Sequence, residues 1–344
     1  MAKVDVVIPC YNYGRFLEEC VRSVLTQDLG VRVLIIDDAS SDDSASVAMK
    51  LAEADPRVSV IVHTQNRGHI ATYNEGLLDW ADAEYSVLLS ADDVLTPGSL
   101  TRAVAVLDAN PSVGMVYGHA AFWKAGEPRP VPRLKATGAT VWPRQRWLRI
   151  VCHLAHAVTS TPGVVVRTSV QQSIGGYRPE LPHTGDVEMW MRFAVHSDIA
   201  YVQGVDQAWY RIHDTNMTTQ RVPVVDLRQR KAAYDYLFAN YGALIADAEY
   251  LKQGVDRKMA KEALWRACSA YHRGRMDSTP VAELIDFARS TYAEFDRLPE
   301  YWGLRWRQYL GPEICPYLQP LMLSAVYRRV RDWLWWRTWK LRGV

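Results

Sequence analysis

The sequence contains no apolar run of eighteen or more uncharged residues, so no transmembrane helix is expected and any membrane contact would be peripheral. Cysteine is scarce. Five thiols (Cys10, Cys20, Cys152, Cys268, Cys315) are scattered with no CxxC pair, which argues against a zinc site or a disulfide framework and reads as the reduced thiols of a cytosolic protein. An excess of either charge is also missing. Lys and Arg number 40 against 38 Asp and Glu, a net charge of +2, so no nucleic-acid partner is expected. Neither a GxxxxGK[ST] loop nor a GxGxxG turn follows the first strand-like run, which excludes the commonest phosphate cradles. No segment recurs at a fixed period, so a repeat array is not supported. A strand-like run begins at Val4, and no signal peptide is expected.

The remaining signals are positive. At 344 residues the chain exceeds a usual single domain, and it divides by pattern into 1–222 and 223–344. Over the first 120 or so residues, β-branched runs (Val4–Ile8, Val31–Ile36, Val58–Val62, Tyr85–Leu89, Gly114–Tyr117) alternate with helical patterns (Phe16–Leu25, Ser44–Ala54, Ile70–Trp80, Leu100–Ala109). That alternation predicts an α/β fold with a doubly wound, mainly parallel sheet. Further strands are expected at Val164–Val166 and Ile199–Val202, after an exposed Pro-rich loop at 127–132. From Asp226 the β-branched runs stop. Helical patterns at Asp226–Tyr241, Lys258–His272 and Val281–Phe295 predict a C-terminal α-helical appendage.

Ligands of open α/β sheets bind beyond the C-terminal strand ends, so the residues just after each strand carry the functional signal. After the first run, Pro9 stops the strand and Gly14 permits a turn, leaving Tyr11 either to stack on a flat base or to pack on the core. After the second come Asp37 and Asp38, two carboxylates costly to bury unless something binds them. One of them could accept from a base imide or a ribose hydroxyl, whereas Asp42 and Asp43 suit a helix start. After the fourth come Asp92 and Asp93, a pair that suits a hard divalent cation shared with substrate phosphates.

Val6-Val7-Ile8-Pro9-Cys10-Tyr11-Asn12, Ile36-Asp37-Asp38-Ala39-Ser40, Asn66-Arg67-Gly68 with Asn74, and Ser90-Ala91-Asp92-Asp93 together resemble the successive motifs of family 2 glycosyltransferases of the GT-A fold, and in particular bacterial members that build polysaccharides and related glycans. The likeness spans residues 3 to about 215. It implies a pocket for a nucleotide-sugar donor lined by Pro9, Tyr11 and Asn12, with Tyr11 stacking on the base. Asp38 would accept from the base imide, Arg67 would meet the base or diphosphate, Asp92 would hold the ribose, and Asp93 would bind the metal. Ser90 stands where the family often has a leading Asp, which narrows the expected direct metal ligand to Asp93.

The segment His183-Thr184-Gly185-Asp186-Val187-Glu188-Met189-Trp190 resembles the family's catalytic stretch, with Gly185 where Glu is common. The likeness implies that Asp186 is the general base of an inverting transferase, deprotonating the acceptor hydroxyl. Glu188 competes on spacing alone, and a helix start at Asp186 is compatible with either reading. Tyr210-Arg211-Ile212-His213 looks like the family's Tyr-Arg-x-His ending, which makes His213 a metal ligand or a phosphate contact.

The expected function is therefore a metal-dependent (Mn2+ or Mg2+) inverting glycosyltransferase. It would move a sugar from a nucleoside-diphosphate sugar, UDP or dTDP, to a hydroxyl of a glycan, lipid-linked or protein acceptor. The alternatives are a degenerate GT-A domain that binds saccharides or assembles a complex, and a nucleotidyltransferase. The 328–342 tail interleaves six basic residues with four tryptophans. It predicts either peripheral contact at the inner membrane face or, because its indoles spread around a helix, packing or oligomerisation.

Overall fold

A computed structural model describes residues 2–156, 158–216, 223–318 and 323–344, so the expected boundary at 222 falls outside the described residues. Nine strands are described: β1 (Val4–Cys10), β2 (Val31–Asp37), β3 (Val58–Val62), β4 (Tyr85–Leu88), β5 (Val94–Leu95), β6 (Val113–Lys124), β7 (Gly138–Trp142), β8 (Val165–Arg167) and β9 (Asp198–Ile212). Between and after them come α1 (Gly14–Leu25), α2 (Ser44–Ala54), α3 (His69–Asn74), α4 (Ser99–Ala109), α5 (Arg144–Leu154), α6 (Thr168–Ile174) and α7 (Gly185–His196). The remaining helices are α8 (Pro223–Tyr241), α9 (Ala248–His272), α10 (Val281–Thr291), α11 (Pro299–Leu310) and α12 (Leu323–Arg342).

The strands form one mixed sheet in the order β3-β2-β1-β4-β8-β6-β9-β5, with β7 on the other side of part of β9. β1, β2, β3 and β4 pair in parallel, as do β6 and β9; the short β8 runs antiparallel between β4 and β6. β1 and β2 are near-continuous Val/Ile/Leu because helices cover both faces of a parallel sheet. Val6, Ile8, Val33 and Ile35 point to the face where Leu17, Val21 and Val24 of α1 pack, all fully buried. Each such side chain contributes roughly 1.5–3 kcal/mol by leaving water.

α3 does not continue as a regular helix to Trp80. Glu75–Trp80 is π-helical, and Gly76 lies so close to β1 that a Cβ there would overlap the Val7 side chain. The helical pattern predicted for Ile70–Trp80 is thus a six-residue α-helix followed by a wider coil.

The chain divides into two compact units. One comprises Met1–Trp147, Ala157–Asn216 and Lys340–Val344 and holds the sheet. The other comprises Leu148–His156 and Met217–Trp339 and is helical. In the helical unit the Leu148–His156 segment is pinned to α8, whose Tyr234 hydroxyl donates to Val151 O (3.1 Å) and whose Arg230 donates to Ala155 O (2.9 Å). α9 packs Leu251, Val255, Met259, Ala263 and Ala267 inward. On α12 the indoles divide: Trp339 is buried, Trp335 sits against His156, and Trp333 and Trp336 remain 56% and 41% exposed. All five cysteines are free and buried, and no described helix is long and apolar enough to cross a membrane.

Candidate active site

The turns after β1 and β2 lock together. Asn12 sits at φ 59°, and its Oδ1 accepts from the Ser41 amide (2.8 Å) and hydroxyl, while Ser40 Oγ accepts from the Asn12 amide (2.9 Å). Asn tolerates this left-handed backbone better than most residues. The clip leaves Tyr11 49% exposed beside the half-buried Pro9, next to the end of β2. Asp37 Oδ2 accepts from the Ser40 amide (3.1 Å), and its buried Oδ1 finds no donor among the described residues.

Asp38 is the hub of the next loop. Its Oδ1 accepts from the Arg67 amide (2.8 Å) and faces His63 Nδ1 at 2.7 Å; its Oδ2 accepts from the Gly68 amide (2.9 Å). Burial alone would raise the carboxyl, but hydrogen bonds from His63, Arg67 and Gly68 outweigh it and hold Asp38 below its ordinary value. His63 is sandwiched, with Nε2 3.0 Å from Glu75 Oε2, and the same Glu75 oxygen accepts from Arg67 Nη1 at 2.6 Å. His63 directly follows β3 but stands in no recognised motif, and Glu75 lies inside a helical pattern, so neither was picked out from sequence.

Asp92 and Asp93 are both buried, at 6% and 2% exposure. Asp93 Oδ1 accepts from the Arg211 amide at 3.0 Å. Burial, and then the neighbouring charge of Asp92, push the Asp93 carboxyl well above its ordinary value. Asp92 Oδ2 faces His213 Nε2 at 2.9 Å and accepts from Asn216 Nδ2 at 3.1 Å. The turn bearing His213 and Asn216 folds onto α1: Tyr13 Oη donates to Thr215 O (3.2 Å), and the His213 ring lies 5.1 Å from Phe16. Arg211 donates to Asp92 O (2.7 Å), pairs with Glu19 and stacks over Phe16 and Trp123. A buried carboxylate pair whose charges oppose each other fits the oxygen-donor chemistry of a hard divalent cation, which would favour the ionised form of both. Among the described residues, however, no three His, Cys, Asp or Glu side chains converge into a ready ligand set.

The two carboxylates of α7 have different surroundings. Glu188 is fully buried and paired with Arg192 at 2.7 Å; Arg192 also donates to Ile174 O and Gly176 O. That pair ties α7 to the preceding loop and takes Glu188 out of competition for the solvent-facing role. Asp186 is half-buried in the first turn, with Oδ1 accepting from the Val187 amide at 2.8 Å. Tyr73 packs nearby on α3. Burial raises its phenol, and the charges of Asp186, Asp92 and Asp93 raise it further. Its ring is held edge-on between His69 and Tyr177 at 5.4 Å each. Asn74 fixes that arrangement by pairing both ways with the Tyr177 backbone, at 2.9 and 2.6 Å.

Residues 5–158 match the profile of the family described as Glycosyl transferase family 2. The chain is 31% identical over 128 residues to the GalNAc(5)-diNAcBac-PP-undecaprenol beta-1,3-glucosyltransferase of Campylobacter jejuni, 37% of this chain and 40% of that protein. It is 30% identical over 120 residues to the glycosyltransferase GlyG of Streptococcus pneumoniae, 34% of this chain and 40% of that one. The chain thus spans two fifths of the length of each of these relatives. Among solved structures, S. aureus TarS 1-349 in complex with UDP-GlcNAc has a TM-score of 0.65 at 16% identity, over 95% of this chain and 92% of that one. The mannosyltransferase PcManGT of Pyrobaculum calidifontis, in complex with GDP-Man and Mn2+, has a TM-score of 0.55 at 17% identity, over 96% and 88%. These likenesses identify the α/β fold with its C-terminal helices as the GT-A type.

Proposed function

We propose, from the premise that the N-terminal domain of this chain belongs to glycosyl transferase family 2, that the protein is an inverting glycosyltransferase using a nucleoside-diphosphate sugar. The observation that carries the reading is the buried Asp92–Asp93 pair, with His213 and Asn216 held against Asp92. In the neighbours, UDP-GlcNAc and GDP-Man with Mn2+ occupy related folds.

Pro9, Tyr11 and Asn12 line the donor pocket, and Tyr11 offers an exposed ring on which a base stacks. Asp38, already held ionised by His63 and two amides, accepts from the base imide with a remaining lone pair. Uracil and thymine present that edge alike, so UDP or dTDP is the expected carrier. Arg67 stands where the base or diphosphate passes, and Asp92 accepts from the ribose. Asp93, with His213 held against the adjacent Asp92, would hold the divalent ion, Mn2+ or Mg2+, which would supply Lewis-acid neutralisation of the departing diphosphate. Asp186 accepts the proton of the acceptor hydroxyl as that oxygen attacks the anomeric carbon from the face opposite the leaving group. The acceptor is a hydroxyl of a glycan, lipid-linked or protein substrate.

The α12 helix adds a location. Trp333, Leu334 and Trp336 are exposed among Arg329, Arg331 and Arg337, and the helix carries one acidic residue, Asp332. Basic charge beside exposed indoles complements an anionic bilayer surface, here the inner membrane face. Co-sedimentation with anionic vesicles should weaken in a Trp333→Ser/Trp336→Ser variant; a variant that instead changes only the oligomeric state would show a protein interface.

Thermal shift against UDP, dTDP and GDP with Mn2+ tests the donor assignment. Stabilisation by the first two, reduced by Asp38→Asn, is the expected result. Stabilisation by no nucleotide would favour the reading of a degenerate saccharide-binding domain.

A further inference from the structure

The helical unit contains a cleft of about 230 Å3 lined from α9 by Tyr250, Gly254, Arg257, Lys258 and Lys261 and from α5 by His153. No Asp or Glu lines it. Positions 254, 257, 258 and 261 are spaced i, i+3, i+4 and i+7, so they share one face of α9. That face violates local helix preferences twice. Gly254 in mid-helix costs about 1 kcal/mol relative to alanine. A Cβ there would meet nothing within 4 Å, so no close approach of another segment requires the glycine. Cations at 257 and 261 are like charges one turn apart, a pairing unfavourable by roughly 0.2–0.5 kcal/mol. Arg257 has no carboxylate partner among the described residues, and Lys261 meets Glu300 only at 3.9 Å. Local costs concentrated on one concave face are the mark of a binding surface rather than of fold stability.

The opposite wall is built, not loose. His153 Nδ1 donates to Arg149 O at 2.7 Å, which orients the ring, and its segment is anchored to α8 by the Arg230 and Tyr234 bonds. Three residues on, outside the cleft lining, His156 packs edge-on against Trp335 of α12 at 5.1 Å.

We propose that this cleft binds a phosphoryl anion. The guanidinium of Arg257 and the ammonium groups of Lys258 and Lys261 donate to its oxygens, and the space left by Gly254 admits it against the helix. The group is either a lipid phosphate presented at a bilayer surface or a free phosphate. The site belongs to the helical unit, shares no lining residue with the Asp92–Asp93 pair, and stands whether or not the proposed transfer activity is correct.

The test uses the full chain in EDTA, so that no divalent ion recruits phosphate to Asp93. Pyrophosphate binding is measured by calorimetry at low ionic strength for wild type, Gly254→Leu, Arg257→Gln/Lys261→Gln and Asp93→Asn. Gly254→Leu keeps every charge, fills the cleft and improves helix propensity, so its melting temperature should hold or rise. The expected result is saturable binding by wild type and Asp93→Asn, weakened about tenfold or more in both cleft variants, as loss of charge-assisted hydrogen bonds implies. In parallel, phosphatidylcholine vesicles with and without phosphatidate assign the source. Preference for phosphatidate that Gly254→Leu abolishes identifies a lipid phosphate; pyrophosphate binding without that preference identifies a free one. No saturable binding by wild type, or unchanged binding in a folded Gly254→Leu, overturns the proposal.

Discussion

Replacing Asp186 with asparagine keeps the side chain's shape and removes one negative charge and one proton acceptor. The structural cost is small. Asp186 lies in the first turn of α7, where a carboxylate gains about 0.3–1 kcal/mol from the helix dipole, and asparagine retains an oxygen for the Val187 amide. The chemical cost is large if Asp186 accepts the acceptor's proton, because a positioned base contributes about 10²–10⁴-fold. Its neighbour supplies the opposite pattern. Glu188→Gln leaves Arg192 buried and uncompensated, and breaking a buried ion pair costs about 3–5 kcal/mol. The assay is transfer kinetics beside thermal melting and nucleotide binding. Asp186→Asn should lower kcat about 10²–10⁴-fold with the melting temperature and nucleoside-diphosphate affinity near wild type. Glu188→Gln should melt well below wild type while its folded fraction keeps a near-normal kcat. An active Asp186→Asn, or a stable but inactive Glu188→Gln, would refute the assignment of roles.

Two further perturbations test the scaffold. Burial would raise Asp206, but hydrogen bonds from His119 and Arg133 outweigh it and hold the carboxyl far below its ordinary value of 3.8. Its stabilisation is therefore complete above that value and is lost as pH falls toward the folded one. Denaturant titrations should show the gap between wild type and Asp206→Asn shrinking as the pH is lowered from about 7 to about 3; a constant gap would contradict the linkage. Gly76→Ala places a methyl into Val7 of β1 and should cost about 1–3 kcal/mol in denaturant unfolding, with a neutral result showing that the π-helical stretch yields.

The parts legible in the sequence were those encoded locally. β1 and β2 announce themselves as β-branched runs between turn signals because parallel strands covered on both faces must be apolar at nearly every position. β5 has two residues and β7 follows the Pro-rich loop with an exposed face, so neither carries a periodic signal. The π-helical Glu75–Trp80 was read as α-helix because six residues cannot separate the two periods. Asp38, Asp92 and Asp93 stood out as acids directly after apolar strands. What surrounds them did not. Asn216 reaches Asp92 across 124 residues, and His63 closes on Asp38, with Glu75 behind it, only once β3 and the Glu75–Trp80 stretch are in place. Tyr73 lay one residue before a motif Asn, with nothing local to mark its packing between His69 and Tyr177. The motif resemblance favoured Asp186 over Glu188, which competed on spacing alone, and the burial of Glu188 against Arg192 was not legible in the sequence.

The central claim is that the Asp92–Asp93 pair serves metal-dependent turnover of a nucleotide sugar. Its most direct test is release of nucleoside diphosphate from UDP- and dTDP-sugars by wild type and Asp93→Asn, each with Mn2+ and with EDTA. The account predicts release by wild type in Mn2+, suppressed by EDTA and by the substitution. Release that survives EDTA and Asp93→Asn alike, or no turnover of any nucleotide sugar offered, would contradict it.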